Sequence, residues 1–262
     1  MLGLGIGLGA GNRPLGKKFS LDGFGLTLPI WYDFSIQDGA HDSAITDVSN
    51  LGSAGSTYNL TQTVASQQPL ISTSGMGEKS ASFDNTDDYL KTSTHYDTAV
   101  ECTMAFAFKL TNTTDADAAL SGDTFGANRV HIKSHRMIEL RYNANYGANP
   151  NSTFQMVLDG TELDDEEVPV TSYTLTANQV EVLVIRKDGS NNVHVYNKNG
   201  DKVAYRAGDT YTDLGMEFAV MGIQLNTNVP FGGFIGEAAM FNGEVTQSQA
   251  QEIAVGLRDK WS

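Results

Sequence analysis

The sequence predicts an all-β fold, a two-sheet antiparallel jelly-roll sandwich, and three observations carry that prediction. From Leu26 onward the 262-residue chain breaks into short runs of alternating apolar and polar residues, separated by clusters of Gly, Asn, Asp and Pro. Charged residues make up only 18% of it while Gly, Asn, Thr and Ser recur, a balance that favours turns and extended segments over solvated helices. Helical periodicity is confined to the C-terminal end. There Thr246 and Gln249 have capping-box spacing, and Ala250, Ile253, Ala254 and Leu257 recur at helical intervals up to Trp261. One C-terminal helix is therefore expected to pack on a β body.

The first element is the most unusual. Leu2, Leu4, Ile6 and Leu8 alternate with Gly3, Gly5, Gly7 and Gly9, so an extended chain would carry all four aliphatic side chains on one face and bare backbone on the other. Glycine loses much conformational entropy on ordering, and an exposed aliphatic strand invites association. The segment is read as a docking arm that lies on, or adds a strand to, a neighbouring subunit, each buried side chain contributing roughly 1.5 to 3 kcal/mol before ordering costs. The alternative is an edge strand on its own domain. No Lys or Arg precedes the stretch, so it lacks the chemistry of a cleaved secretory leader and export is not expected. Gly11 to Gly25, with Pro14, Lys17 and Lys18, reads as a linker. Residues 1–25 are thus arm and linker, and residues 26–262 the sandwich domain.

In the body, Met104, Phe106, Phe108 and Leu110 share one face with Ala105 and Ala107 opposite, the pattern of a central strand. Further strands are expected at 130–133, 137–142, 154–158, 180–186, 193–196, 203–205, 218–225 and 234–241, with nothing helical between them. Asp188-Gly189 followed by Ser190 to Asn192, and Asn199-Gly200, carry residues that tolerate positive φ in hairpins. Residues 180–205 should therefore form an antiparallel meander.

Composition excludes several classes. With 31 acidic against 17 basic residues the net charge is −14, which repels nucleic acid and anionic membranes; the basic stretch from Arg129 to Arg141 alternates with apolar residues and reads as a solvated strand face. No apolar run approaches the roughly 18 residues of a membrane span. The single cysteine, Cys102, lies among apolar residues and is expected as a buried, inert thiol.

The stretches IWYDFS (30–35), ITDVSNLGSAGSTYNLTQ (45–62), SASFDNTDDYLK (80–91), TMAFAFK (103–109) and EAAMFNGEVTQSQAQEIAVGLRDKW (237–261) resemble the concanavalin A-like, laminin G-like jelly rolls common in bacteriophage virion proteins. The resemblance covers about residues 29 to 262, and the MLGLG terminus is similar to those of marine phage structural proteins. It implies a two-sheet sandwich of the kind used on capsid decoration proteins, head fibres and adsorption proteins, often to bind sugars. It carries no catalytic or ligand residue across.

The residues themselves offer few chemical sites. Asp84, Asp87 and Asp88 form a carboxylate cluster beside a turn, a candidate structural Ca²⁺ site, although Asx turns explain the same residues without metal. Glu162, Asp164 and Glu166 match the Glu-x-Asp-x-Glu spacing of sandwich glucanases, whose retaining mechanism needs two carboxyl groups about 5 to 5.5 Å apart. Asp165 and Glu167 would occupy the opposite strand face and Pro169 follows, so 164–167 reads instead as a solvated acidic loop. His131 and His135 on a strand would stand about 13 Å apart, too far to share an ion. Phe83, Tyr89, Trp31 and Tyr32 read as core and rim packing. No phosphate loop, nucleophile elbow or paired Cys motif is present.

The expectation drawn from the arm and the resemblance is a non-enzymatic virion protein, assembled in the host cytoplasm. It would need no cofactor beyond a structural calcium ion. The leading form is a capsid decoration protein anchored by its arm to other virion proteins, chiefly the major capsid protein, in multiple copies or as a homo-oligomer. The alternatives are a tail or fibre adsorption protein binding host glycans and, from another class, a carbohydrate-binding module or glucanase.

Overall fold

The structure, a computed structural model, describes residues 19–97, 101–111, 137–143, 153–159, 166–174, 176–190, 192–206, 217–221, 223–224 and 229–262. The docking arm with Leu2, Leu4, Ile6 and Leu8 lies outside the described residues, as do His131, His135, Glu162, Asp164 and the strand expected at 130–133.

The first strands are β1 (Thr27–Asp33), β2 (Asp47–Val48), β3 (Leu60–Thr61), β4 (Leu70–Ser72), β5 (Ser80–Asp84), β6 (Leu90–Asp97) and β7 (Cys102–Leu110). Then come β8 (Met137–Asn143), β9 (Thr153–Asp159), β10 (Glu166–Thr174), β11 (Val180–Lys187), β12 (Val193–Asn197) and β13 (Lys202–Arg206). The chain ends with β14 (Glu217–Met221), β15 (Ile223–Gln224), β16 (Val229–Pro230), β17 (Gly232–Asn242) and the helix α1 (Gln247–Trp261).

The main sheet runs β13-β12-β11-β7-β17-β5-β4, with β1 also paired to β17. One edge of β17 follows β7, while the other pairs with β5 at Gly232 to Ile235 and with β1 from Glu237 to Asn242. The opposing layer is β14-β6-β3-β2, and a separate ladder, β10-β9-β8, has β8 beside β14 and β10 beside β13. The expected meander is present as β11, β12 and β13, paired antiparallel. Gly200, at φ +79°, turns its second hairpin.

Alternation along β7 divides the interior in two. Met104, Phe106, Phe108 and Leu110 enter the core between the sheets, where they meet Val48, Leu60, Leu90 and Met221 from the opposing layer. Ala105 and Ala107 face the other way and, with Val182, Val184 and Ala239, make a low surface on which α1 lays Ala250, Ile253, Ala254, Leu257 and Trp261. Small side chains under the helix let it approach closely. Thr246 and Gln249 form the capping box that the sequence predicts, each side chain accepting from the other's backbone N–H. Cys102 is buried, as the sequence predicts.

Four details differ from the sequence expectations. Short 3₁₀ turns occur at Leu21–Phe24, Phe34–Ile36, Ser56–Tyr58 and Ala65–Gln67, each too short to leave a periodic signal. Phe19, Leu21 and Phe24, inside the segment read as linker, already belong to the core under α1, where Gly256 leaves room for the Phe19 ring. The stretch 218–225 is divided between two sheets, as β14 and β15. Glu166 and Glu167 open β10 rather than closing an acidic loop, and Pro169 is tolerated because β10 is an edge of its ladder.

Candidate functional site

A cleft of about 510 Å³ opens where β7 ends, β11 begins and α1 finishes. Its walls come from the β4–β5 connection (Ser74 to Gly77), the segment leading into β11 (Asn178 to Val180), Lys109, Lys198 and the end of the helix. Met76 and Val180 are apolar residues of its lining, and Asn178 and Gln179, which also line it, are exposed. Asn178 is held at φ +62° by the bond from its N–H to the Leu110 carbonyl, 2.7 Å. The Gly77 N–H donates to the Trp261 carbonyl at 2.7 Å, closing the helix end against the β4–β5 connection. A Cβ on Gly77 would strike Ser262.

The wall formed by α1 is fixed from beneath. Asp33 and Glu237 face each other directly across the β1–β17 pairing, a repulsive placement for two carboxylates. Lys260 Nζ lies 2.6 Å from an oxygen of each. Glu237 also accepts from the indoles of Trp31 at 2.7 Å and Trp261 at 3.0 Å, while Asp33 accepts from the Ser35 N–H and hydroxyl. Burial pushes the Glu237 carboxyl above its ordinary range, against the pull of Lys260. The bulge at Gly236 turns Glu237 to the helix side, and a Cβ there would stand 2.5 Å from the Trp261 ring. This buried network locks the register of helix on sheet, and the cleft inherits that rigidity.

Among the described residues, the charged side chains that line the cleft are those of Lys109, Lys198 and Arg258. Lys109 Nζ donates to the Gly75 carbonyl at 2.7 Å and lies 5.6 Å from the Phe234 ring centre. Lys198 Nζ reaches Glu181 at 3.0 Å and Gln179 at 3.2 Å. Arg258 reaches Asp259 at 2.8 Å and Asn199 at 3.4 Å. None of these residues was singled out by sequence pattern. They come from a strand end, a hairpin turn and a helix, and no spacing in the chain relates them.

Of the residues that the sequence did single out, Asp84, Asp87 and Asp88 do converge, each offering a carboxylate oxygen within 4.8 Å of the others. Two ligands of one Ca²⁺ at 2.3 to 2.6 Å stand at most about 5 Å apart, so the three oxygens fit a common ion. Part of the cluster is also an Asx turn. Asp84 Oδ1 accepts from the N–H of Thr86 at 2.8 Å, Asp88 Oδ2 accepts from the N–H of Asp84 at 3.0 Å, and Asn85 sits at φ +63°. Burial first, then the Asp84 charge, raises the Asp88 carboxyl to about 6. Tyr32 and Phe83 are core, while Trp31 and Tyr89 are half-buried.

A second polar surface lies at the other end of the same sheet face. Arg186, His194 and Tyr205 stand in one row across β11, β12 and β13, and Tyr205 is half exposed. Asp188 holds the row by accepting from Asn192 and His194; although burial alone would raise it, these bonds lower its carboxyl to about 2. Lys202 lies 5.0 Å over the Tyr205 ring, so that face is already occupied.

No protein-family model matches the chain, and no curated protein matches it. Among solved structures it is similar to domain 4 of a GH43 extracellular arabinanase from Geobacillus stearothermophilus in complex with arabinotriose, at 18% identity and a TM-score of 0.53, covering 87% of this chain and 98% of that one. It is also similar to the binding domain of a Paraclostridial mosquitocidal protein, at 10% identity and a TM-score of 0.59, covering 87% and 52%. An arabinofuranosidase complexed with arabinofuranosyl-α-1,2-xylobiose matches at 13% identity and a TM-score of 0.58, covering 83% and 51%. The chain thus spans about half the length of the latter two. At these identities the likeness establishes the β-sandwich fold alone.

Proposed function

We propose that the chain is a non-catalytic carbohydrate-binding sandwich module that takes a saccharide in the cleft between the β4–β5 connection, the start of β11 and the end of α1. The carrying observation is the cleft's make-up: apolar Met76 and Val180 line it together with polar groups from Asn178, Gln179, Lys109 and Lys198, a combination that suits the apolar faces and hydroxyl edges of a sugar. The solved structures named above include two with bound oligosaccharides, which supports the reading at the level of fold. The paired carboxylates Asp33 and Glu237 are buried, bridged by Lys260 and away from the cleft lining, which supports binding rather than hydrolysis. Attachment to a capsid through the arm rests on residues outside the described ones and gains no support from the neighbours.

An array of matched neutral, uronic-acid and sulfated oligosaccharides tests the proposal. Binding should be found, and Ser74→Trp, which fills the cleft from an exposed rim position, should weaken it at least tenfold. No binding on the array, or binding unchanged by Ser74→Trp, would overturn it. The Asp84, Asp87 and Asp88 turn takes the subsidiary part of a calcium seat; CaCl₂ should raise the Tm of the wild type and leave that of Asp84→Asn unmoved.

A further inference from the structure

The cations that line the cleft are largely answered within the protein. Lys198 Nζ stands 3.0 Å from Glu181 Oε1, 3.2 Å from Gln179 Oε1 and 3.3 Å from the Val180 carbonyl, so its three donors are engaged and it braces the start of β11. Arg258 donates to Asp259 through Nε at 2.9 Å and Nη2 at 2.8 Å, and through Nη1 to Asn199 at 3.4 Å. Lys109 donates to the Gly75 carbonyl, and the C-terminal end of α1, which lines the same cleft, sets a partial negative charge of about half an elementary charge against it. With 31 acidic and 17 basic residues in the chain, an anionic ligand approaches against the field of the whole molecule, and little local charge draws it in. The unengaged polar group of the lining is a neutral one. Asn178 is exposed and held at φ +62°, its backbone N–H is taken by the Leu110 carbonyl at 2.7 Å, and among the described residues its side-chain amide has no hydrogen-bond partner.

We infer that the cleft takes an uncharged saccharide and that the Asn178 amide reads a pair of its adjacent free hydroxyls. The inference rests on the saccharide-binding reading; it names the ligand class and the residue that recognises it. An amide presents donors and an acceptor side by side, so one hydroxyl of such a pair accepts from the NH₂ while its neighbour donates to the carbonyl. The left-handed backbone that Asn tolerates, tied to Leu110 at the end of β7, fixes where the amide starts. Lys198 and Arg258 brace the walls. With no ion pair to the ligand, affinity for a neutral glycan should be insensitive to salt, whereas an acidic one should be disfavoured at low salt, where the repulsion is least screened.

The same matched array, read with the wild type and with Asn178→Gly at low and high salt, tests it. Glycine keeps the left-handed backbone and the main-chain bond to Leu110 while removing the amide, so circular dichroism and Tm should match the wild type. Neutral glycans should bind the wild type more tightly than their uronic-acid and sulfated counterparts at low salt, with affinities that salt leaves unmoved. Asn178→Gly should weaken the best neutral ligand about tenfold, the worth of one or two neutral hydrogen bonds. Methylating the hydroxyl pair of that ligand should cost the wild type a similar factor and Asn178→Gly little more, and the wild-type half of this comparison needs no variant to fold. Tighter binding of the acidic glycans, neutral binding unchanged in Asn178→Gly, or indifference of the wild type to methylation of every adjacent hydroxyl pair overturns the inference and leaves the saccharide reading standing. Absence of binding to every glycan overturns both.

Discussion

Glu237 accepts hydrogen bonds from two indoles and an ammonium at once, and Lys260 bridges it to Asp33. Removing the two kinds of partner should therefore have unequal effects. Lys260→Met leaves two buried carboxylates opposed across β1 and β17 and should destabilise by about 3 to 5 kcal/mol. Glu237→Gln keeps an acceptor for an indole and leaves the Asp33–Lys260 pair, so its cost should be smaller, about 1.5 to 3 kcal/mol. Urea denaturation of both variants checks the order. Asp88 makes a second prediction at this scale. Its carboxyl titrates at about 6 in the folded state against 3.8 ordinarily, so the native state holds a proton that the unfolded chain has released. The contribution of Asp88 to stability is complete below about pH 4 and is lost as pH rises through about 6. Asp88→Asn should flatten that decline in a series of melts, and an unchanged pH profile would contradict the assignment. Pattern reading found the Asp84–Asp88 turn because its residues are neighbours in sequence. The Glu237 network was not legible, since Asp33 and Lys260 stand at opposite ends of the chain and meet only through β-pairing and helix docking.

Among the elements, α1 joins stability to the candidate site. Its N-terminal capping box sets where the helix starts, its apolar stripe sits on the low alanine surface of β7, and its last turn supplies Arg258 and Trp261 to the cleft. Thr246→Ala should cost about 1 kcal/mol, because one backbone donor of the first turn loses its partner, and should leave the cleft unchanged because the far end is held by Lys260 and Trp261. A melt and a binding isotherm on the same preparation check both halves. The helix, the β7 face pattern and the β11–β13 meander were legible because each is fixed by local periodicity or turn chemistry. The division of 218–225 between two sheets was not, because a run of apolar residues states that a segment is extended without stating which partner it takes. The β10 edge was misread for a related reason: consecutive carboxylates resemble a loop until the edge position that tolerates them is known.

For the whole molecule, a chain of net charge −14 places Lys109, Lys198 and Arg258 around one cleft, two of them paired with Glu181 and Asp259. Composition sets the overall charge, but it averages over the surface and does not show where Lys109, Lys198 and Arg258 are brought together. The sandwich brings the three together at one end of the main sheet, and the buried Glu237 network holds the helix end that carries Arg258. The most direct test is to titrate the ¹⁵N-labelled protein with its strongest-binding array glycan and map the amide shifts. Perturbations should gather at Gly75, Gly77, Gln179, Lys198 and Arg258, around the cleft. Shifts centred instead on Asn192, His194 and Tyr205, or on the Asp84 to Asp88 turn, would contradict the account.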